Sequence, residues 1–264
     1  MLLVLSRIST APHNTLYTQR SGTPASKPPF GIGHWFVLLV MGVGFLYAGG
    51  LLGNVTMWVM SAVTGYDYVS NLQTLVEDSP TWMTVLGACV IAPFGEELIF
   101  RKLLIDRVRG IGDTPAILLS GLLFALFHGN LFQLFYAFLV GVVLAYLYTR
   151  SGKYLLCVIM HAVINLLGSV ILPELASMIP DALPMTLPQL LLAVLLVLWQ
   201  YGSVLAAIVL LWIFWKRRRL LSSPLPKGTC RTVGLLLGNP GMIGCLVIML
   251  LLTLSNLLVP LIPI

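Results

Sequence analysis

The chain has 264 residues, 58% of them hydrophobic and 9% charged, with a mean hydropathy of +0.97. A soluble domain is about 25% charged, so the composition excludes a soluble enzyme and requires an all-α, polytopic membrane protein of about seven transmembrane spans. The net charge of +6 is not a nucleic-acid signal, because the basic residues sit at the ends of apolar runs.

Residues 1–33 are polar and carry Arg7, Arg20 and Lys27 without an acid; they read as a disordered cytoplasmic tail, domain 1–33, before a transmembrane domain at 34–264. Met1 to Leu5 is too short for the apolar core of a signal peptide. The first run, 35–63, exceeds the roughly 20 residues a span needs. Its glycines, Gly42, Gly44, Gly49, Gly50 and Gly53, suit close helix packing or a break near Gly49-Gly50. The loop at 64–79 holds Asp67, Glu77 and Asp78. Ser79 as cap and Pro80 at the first position start the second helix, which runs from Trp82 to Arg109.

Asp113-Thr114-Pro115 restarts the chain. From Pro115 to Phe127 is about 20 Å of helix, short of the roughly 30 Å hydrocarbon core. His128 then ends a half-span inside the membrane, with Gly129-Asn130 turning back in a protein-lined cavity. The fourth run, 131–149, contains the small pair Gly141 and Ala145. The fifth, 154–172, contains His161 and Asn165, and 173–187 reads as a loop bearing Glu174 and Asp181. The sixth run, 188–215, is Leu-rich and lipid-facing or core; the last covers 241–260. Gln133 and Asn256 read as interhelical polar contacts, and an eighth span hidden in the long first run stays open. The four cysteines share no metal or disulfide spacing. The C-terminal Leu261-Ile262-Pro263-Ile264 lacks the cysteine of a prenylation substrate.

All 15 basic residues fall in the tail, the 101–113 segment, the 150–153 turn and the 216–231 loop. These are alternate segments of a seven-span chain. The bias predicts a cytoplasmic N-terminus and an external C-terminus.

The chemistry concentrates in Ala92-Pro93-Phe94-Gly95-Glu96-Glu97-Leu98-Ile99-Phe100-Arg101. A charged side chain at membrane depth costs roughly 2.5–3.5 kcal/mol on insertion scales, so it faces a protein interior. Glu97 and Arg101 are four apart and can pair, while Glu96 lies about 100° round the helix. One carboxylate is held and one is left for chemistry. Pro93 removes a backbone donor and leaves the carbonyl of Cys89 unpaired. Taken alone, this pattern also fits a structural ion pair between helices.

Two further pairs share helix faces: Phe124 with His128, and His161 with Asn165. Glu96, His128 and His161 each lie roughly 16–20 Å from the cytoplasmic ends of their helices, so three spans carry titratable groups at one level. Peptide hydrolysis needs a base for water, donors for the oxyanion and an acid for the leaving amine. Glu96 suits the first, with His128 positioning the water; His161 and Asn165 suit the second. The common serine and zinc protease motifs and an intramembrane aspartate pair are missing.

Glu96-Glu97-x-x-x-Arg101, Phe124-x-x-x-His128 and His161-x-x-x-Asn165, in that order, resemble the three-part signature of the CAAX protease and bacteriocin-processing family. The family includes type II CAAX prenyl endopeptidases and bacterial Abi-type immunity proteins. The resemblance covers residues 82–172. It implies a helical membrane fold with a cavity open to the cytosol. It also implies catalytic roles for Glu96 (water activation), Glu97 and Arg101 (support), His128 (assistance), and His161 with Asn165 (oxyanion hole).

The expected activity is an intramembrane endopeptidase acting on a lipidated protein, leader-type peptide or other membrane-associated peptide in a prokaryotic plasma membrane. No nucleic-acid partner is expected, and oligomeric state is not legible. No cofactor is expected; the alternative is zinc held by Glu96, His128 and His161, disfavoured by the charge of Arg101 and by the amide at Asn165. Two other readings stay open: a non-proteolytic immunity or scaffold protein with the same fold, and a transporter or proton relay.

Overall fold

The computed structural model describes residues 30–66, 68, 80–180, 182–217, 234 and 238–258. The tail to residue 29, the acids Asp67, Glu77, Asp78 and Asp181, the cap Ser79, the bases from Arg218 to Arg231 and residues 259–264 lie outside the described residues. Among the described residues there is no strand, and the helices are α1 (Ile32–Thr64), α2 (Thr81–Val108), α3 (Asp113–Phe127), α4 (Leu131–Ser151), α5 (Tyr154–Ser177), α6 (Leu187–Arg217) and α7 (Pro240–Leu258). Six are long and apolar enough to cross a membrane, and α3, with 15 residues, is the short one. The chain is an all-α, multi-pass integral membrane protein.

Helix α1 is unbroken over 33 residues and begins at Ile32, inside the stretch expected to be tail. The helix does not break at Gly49-Gly50; Gly49 is a packing surface, and no neighbour among the described residues lies near Gly50. A Cβ on Gly49 would strike the backbone of Tyr136, and one on Gly53 the carbonyl of Phe132, so α1 lies directly on α4. Gly44 meets Ser203 and Ala207 of α6 in the same way. Backbones this close gain dispersion contacts along their length, the main attraction between helices in lipid. Trp199 Nε1 also donates to Tyr47 Oη at 3.1 Å, while most of α6 stays exposed, as its Leu-rich sequence predicts.

The small pair on α4 behaves as its spacing predicts. Gly141 sits against the backbone of Gly121 on α3, and Ala145 is fully buried. Around this seam α1, α4 and α5 share a core of Leu38, Val143, Leu144, Leu147, Met160 and Ile164.

At the helix ends predicted to be cytoplasmic, acids and bases pair locally. Lys102 reaches Asp106 at 2.9 Å and Arg109 reaches Asp113 at 2.7 Å. Tyr148 donates to Asp106 at 2.9 Å, and Arg109 Nη2 donates to the carbonyl of Thr149 at 2.9 Å. These bonds tie α2, α3 and α4 together and fix where the short α3 starts.

Three boundaries differ from the sequence reading. Helix α2 starts at Thr81, with Pro80 as the extended residue before it. Residues 173–177, read as loop, continue α5 through Pro173. The helix survives the proline because residues 167–171 are wound as a π-helix, whose wider turn changes which carbonyl loses its partner. The last helix starts at Pro240 and is described to Leu258, the expected end at 260 lying outside the described residues.

Candidate active site

Helix α2 alternates between two windings. Residues Val85–Ile91 and Leu98–Ile105 are π-helical, and Ala92–Glu97 between them is α-helical. In a π-helix each N–H bonds the carbonyl five residues back, and Ala92 N–H bonds Gly87 O in this way. The next residue is Pro93, which has no N–H. The carbonyl left over is therefore that of Ala88, one residue before the Cys89 carbonyl expected from an α-helix. Asn165 of α5 fills the gap, donating Nδ2 to Ala88 O at 2.7 Å.

The two carboxylates divide as their spacing predicts. Glu97 is fully buried, with Oε2 2.9 Å from Arg101 Nε and Oε1 3.0 Å from His161 Nδ1. The Arg101 contact is a charge pair off the hydrogen-bonding line, since neither Nε nor Nη2 makes a hydrogen bond there. Both oxygens of Glu97 are thus engaged. Glu96 keeps 16% of its side chain exposed, and its Oε2 lies 3.8 Å from His161 Nε2.

Arg101 is fully buried and is held on three sides. Besides Glu97, Nη1 donates to Ser120 Oγ at 2.8 Å, and Ser120 Oγ donates on to Phe100 O at 2.8 Å. The guanidinium lies over the Phe124 ring, 4.7 Å from its centroid, where the ring's negative face attracts a cation. The same ring packs edge-on to His128 at 4.9 Å and His161 at 5.5 Å between centroids. Phe124 is thus the common wall of both histidines, and the one-level arrangement expected from helix rise brings α2, α3 and α5 together.

His128 Nδ1 donates to Phe124 O at 2.8 Å. A carbonyl only accepts, so the neutral ring carries its proton on Nδ1 and presents the Nε2 lone pair. His161 donates Nδ1–H to Glu97, and its Nε2 faces Glu96. The sequence reading had His161 and Asn165 donating from one helix face; in the structure His161 Nδ1 is engaged by Glu97, with Nε2 3.8 Å from Glu96, and Asn165 spends one amide hydrogen on Ala88.

Two contributors were missed from sequence. Ser120 is legible in retrospect, lying four residues before Phe124 and eight before His128 on one helix face. Tyr154, whose hydroxyl donates to Phe94 O at 2.8 Å, is joined only by tertiary structure. Asn256 of α7, expected as an interhelical polar contact, reaches Gly129 O at 2.8 Å. As to zinc, no group of three or more His, Cys, Asp or Glu side chains is disposed to hold a metal ion among the described residues. Glu96, His128 and His161 do not form a ready cage, and no step below runs through a metal.

Residues 78–167 match the family model described as type II CAAX prenyl endopeptidase Rce1-like. That segment contains Glu96, Glu97, Arg101, Phe124, His128, His161 and Asn165, and the match is what the three motifs led one to expect. Among curated proteins the chain is similar to UPF0177 protein YbdI of Lactococcus lactis subsp. lactis (strain IL1403). The two are 29% identical over 136 residues, covering 47% of this chain and 71% of that protein. No solved structure matches.

Proposed function

Proceeding from that endopeptidase-family match, we propose that the protein is an intramembrane endopeptidase in which Glu96 activates water. The observation that carries the reading is the difference between two adjacent carboxylates. Glu97 is held by the charge of Arg101 and by a hydrogen bond from His161, and Glu96 is left partly open beside the same histidine.

The groups suit one sequence of events. Water between Glu96 and the lone pair of His128 Nε2 gives a proton to Glu96 as its oxygen attacks the peptide carbonyl carbon. The oxyanion accepts hydrogen bonds from the second Nδ2 hydrogen of Asn165 and, when His161 carries a proton on both nitrogens, from its Nε2–H. As the C–N bond breaks, the proton on Glu96 passes to the leaving amine, and Glu96 returns to carboxylate.

The substrates proposed are membrane-associated peptides, prenylated or leader-like, in a prokaryotic plasma membrane. The N-terminus is in the cytoplasm and the C-terminus outside. The test compares proteomes of membranes carrying the wild-type chain or Glu96→Gln. New peptide termini produced only by the wild type support the reading. Identical termini in both reject it and favour a binding-only role for the fold.

A further inference from the structure

We propose that Asn256, on the last helix and far outside the family-matched segment, is a positioning residue for His128. The inference rests on the endopeptidase reading for its kinetic consequence, but its structural half stands apart from it.

On the half-span reading helix α3 ends inside the membrane, where a carbonyl needs a donor from the protein. Five of the carbonyls at this end, those of Phe124, Ala125, Leu126, His128 and Gly129, have named donors. His128 N–H bonds Ala125 O at 3.3 Å and Gly129 N–H bonds Leu126 O at 3.1 Å. His128 Nδ1 bonds Phe124 O, and Asn130 Nδ2 reaches His128 O at 3.4 Å. Asn130 also accepts from Gln133 N at 2.7 Å to cap α4. The carbonyl of Gly129, turned out by a φ of +65°, is satisfied from elsewhere. Asn256 Nδ2 donates to it at 2.8 Å across 127 residues of chain.

Helix α7 is built to bring that amide there. Met242, Leu246 and Met249 pack against the Phe100–Phe124 cluster, and Leu252 approaches Gly129. With Asn256 these residues recur every three or four positions, a single helical stripe. The opposite face of α7 exposes Ile243, Val247, Leu250, Leu251 and Leu254. The long-range hydrogen bond that an α7 side chain donates lands one residue after His128, and Tyr68 Oη donates to Leu257 O at 3.1 Å at the same end of the helix. The Asn256 bond holds the turn that sets the His128 ring on Phe124.

The test uses the full chain in lipid nanodiscs, with the scissile peptide found by the proteomic comparison and diethyl pyrocarbonate as a probe of imidazole nitrogen. Asn256→Leu should lower kcat by about tenfold to a hundredfold, as displacement of a positioned group does, with KM within about twofold. It should also speed carbethoxylation of His128 relative to His161 by about threefold, because the loosened turn opens more often. Asn256→Gln, which keeps the donor, should recover most of both. Unchanged kcat and unchanged His128 labelling in Asn256→Leu overturn the proposal. If Asn256→Leu does not accumulate, Asn256→Ser, too short to reach Gly129, is read by the same two criteria. Should the wild type cleave nothing, the endopeptidase reading fails, and the His128 labelling alone decides whether Asn256 positions it.

Discussion

Asn165 donates its amide to the carbonyl of Ala88, 77 residues away, at 2.7 Å. That carbonyl is unpaired because Pro93 sits five residues on, at the end of a π-helical stretch. The bond joins α5 to α2 directly below the two carboxylates, so a residue of the third motif supports the geometry of the first.

This relationship predicts a coupling. Asn165→Leu leaves a part-buried carbonyl without a donor and should cost about 1 kcal/mol of stability, the low end of the range for an unmet acceptor. Pro93→Ala restores an N–H that reaches Ala88 in the π register. The double variant should therefore lose less than the sum of the singles, by about 1 kcal/mol. Unfolding in mixed detergent micelles measures all four proteins, and strict additivity would show that the two residues do not share this carbonyl.

Glu96 and Glu97 should fail differently when changed to glutamine. Glu96→Gln should insert and melt like the wild type and lose at least about a hundredfold in turnover, the scale of general-base catalysis. Glu97→Gln leaves Arg101 and His161 facing a neutral group and should lose about 3–5 kcal/mol of stability, the cost of breaking a buried pair from one side. Thermal melting alongside turnover separates them. An unstable Glu96→Gln with a stable Glu97→Gln would reverse the roles.

Orientation follows from the basic residues. Single cysteines near Ser70 and near Met178 should label with an impermeant thiol reagent on intact cells, and cysteines at Ser151 and Ser222 should label only after lysis. Labelling of position 151 from outside would invert the membrane topology.

Metal dependence is expected to be nil. Stripping the purified protein with a strong chelator, with metal content checked by elemental analysis, should leave activity unchanged. Activity that vanishes and returns with stoichiometric zinc alone would make Glu96, His128 and His161 ligands, since zinc supplies a water ionised near neutral pH.

Much of this was legible in the chain as written. Six spans and a short seventh helix follow from apolar run length, because the bilayer sets the number of residues that cross it. The Glu97–Arg101 pair follows from i,i+4 geometry within one helix, and the glycine-lined surface of α1 from the need for close backbones in lipid. What was not legible depends on winding and on contacts between distant helices. Residues 85–91 read as ordinary helix, and their π register, which moves the orphan carbonyl from Cys89 to Ala88, depends on what packs against them. His161 was placed near the carboxylates by depth, but a depth has no azimuth. That it bonds Glu97 and lies beside Glu96, and that Asn256 reaches the turn after His128, was decided when α5 and α7 packed against α2 and α3. Local spacing fixes which side chains share a face of one helix; only the packing of separate helices fixes which faces meet.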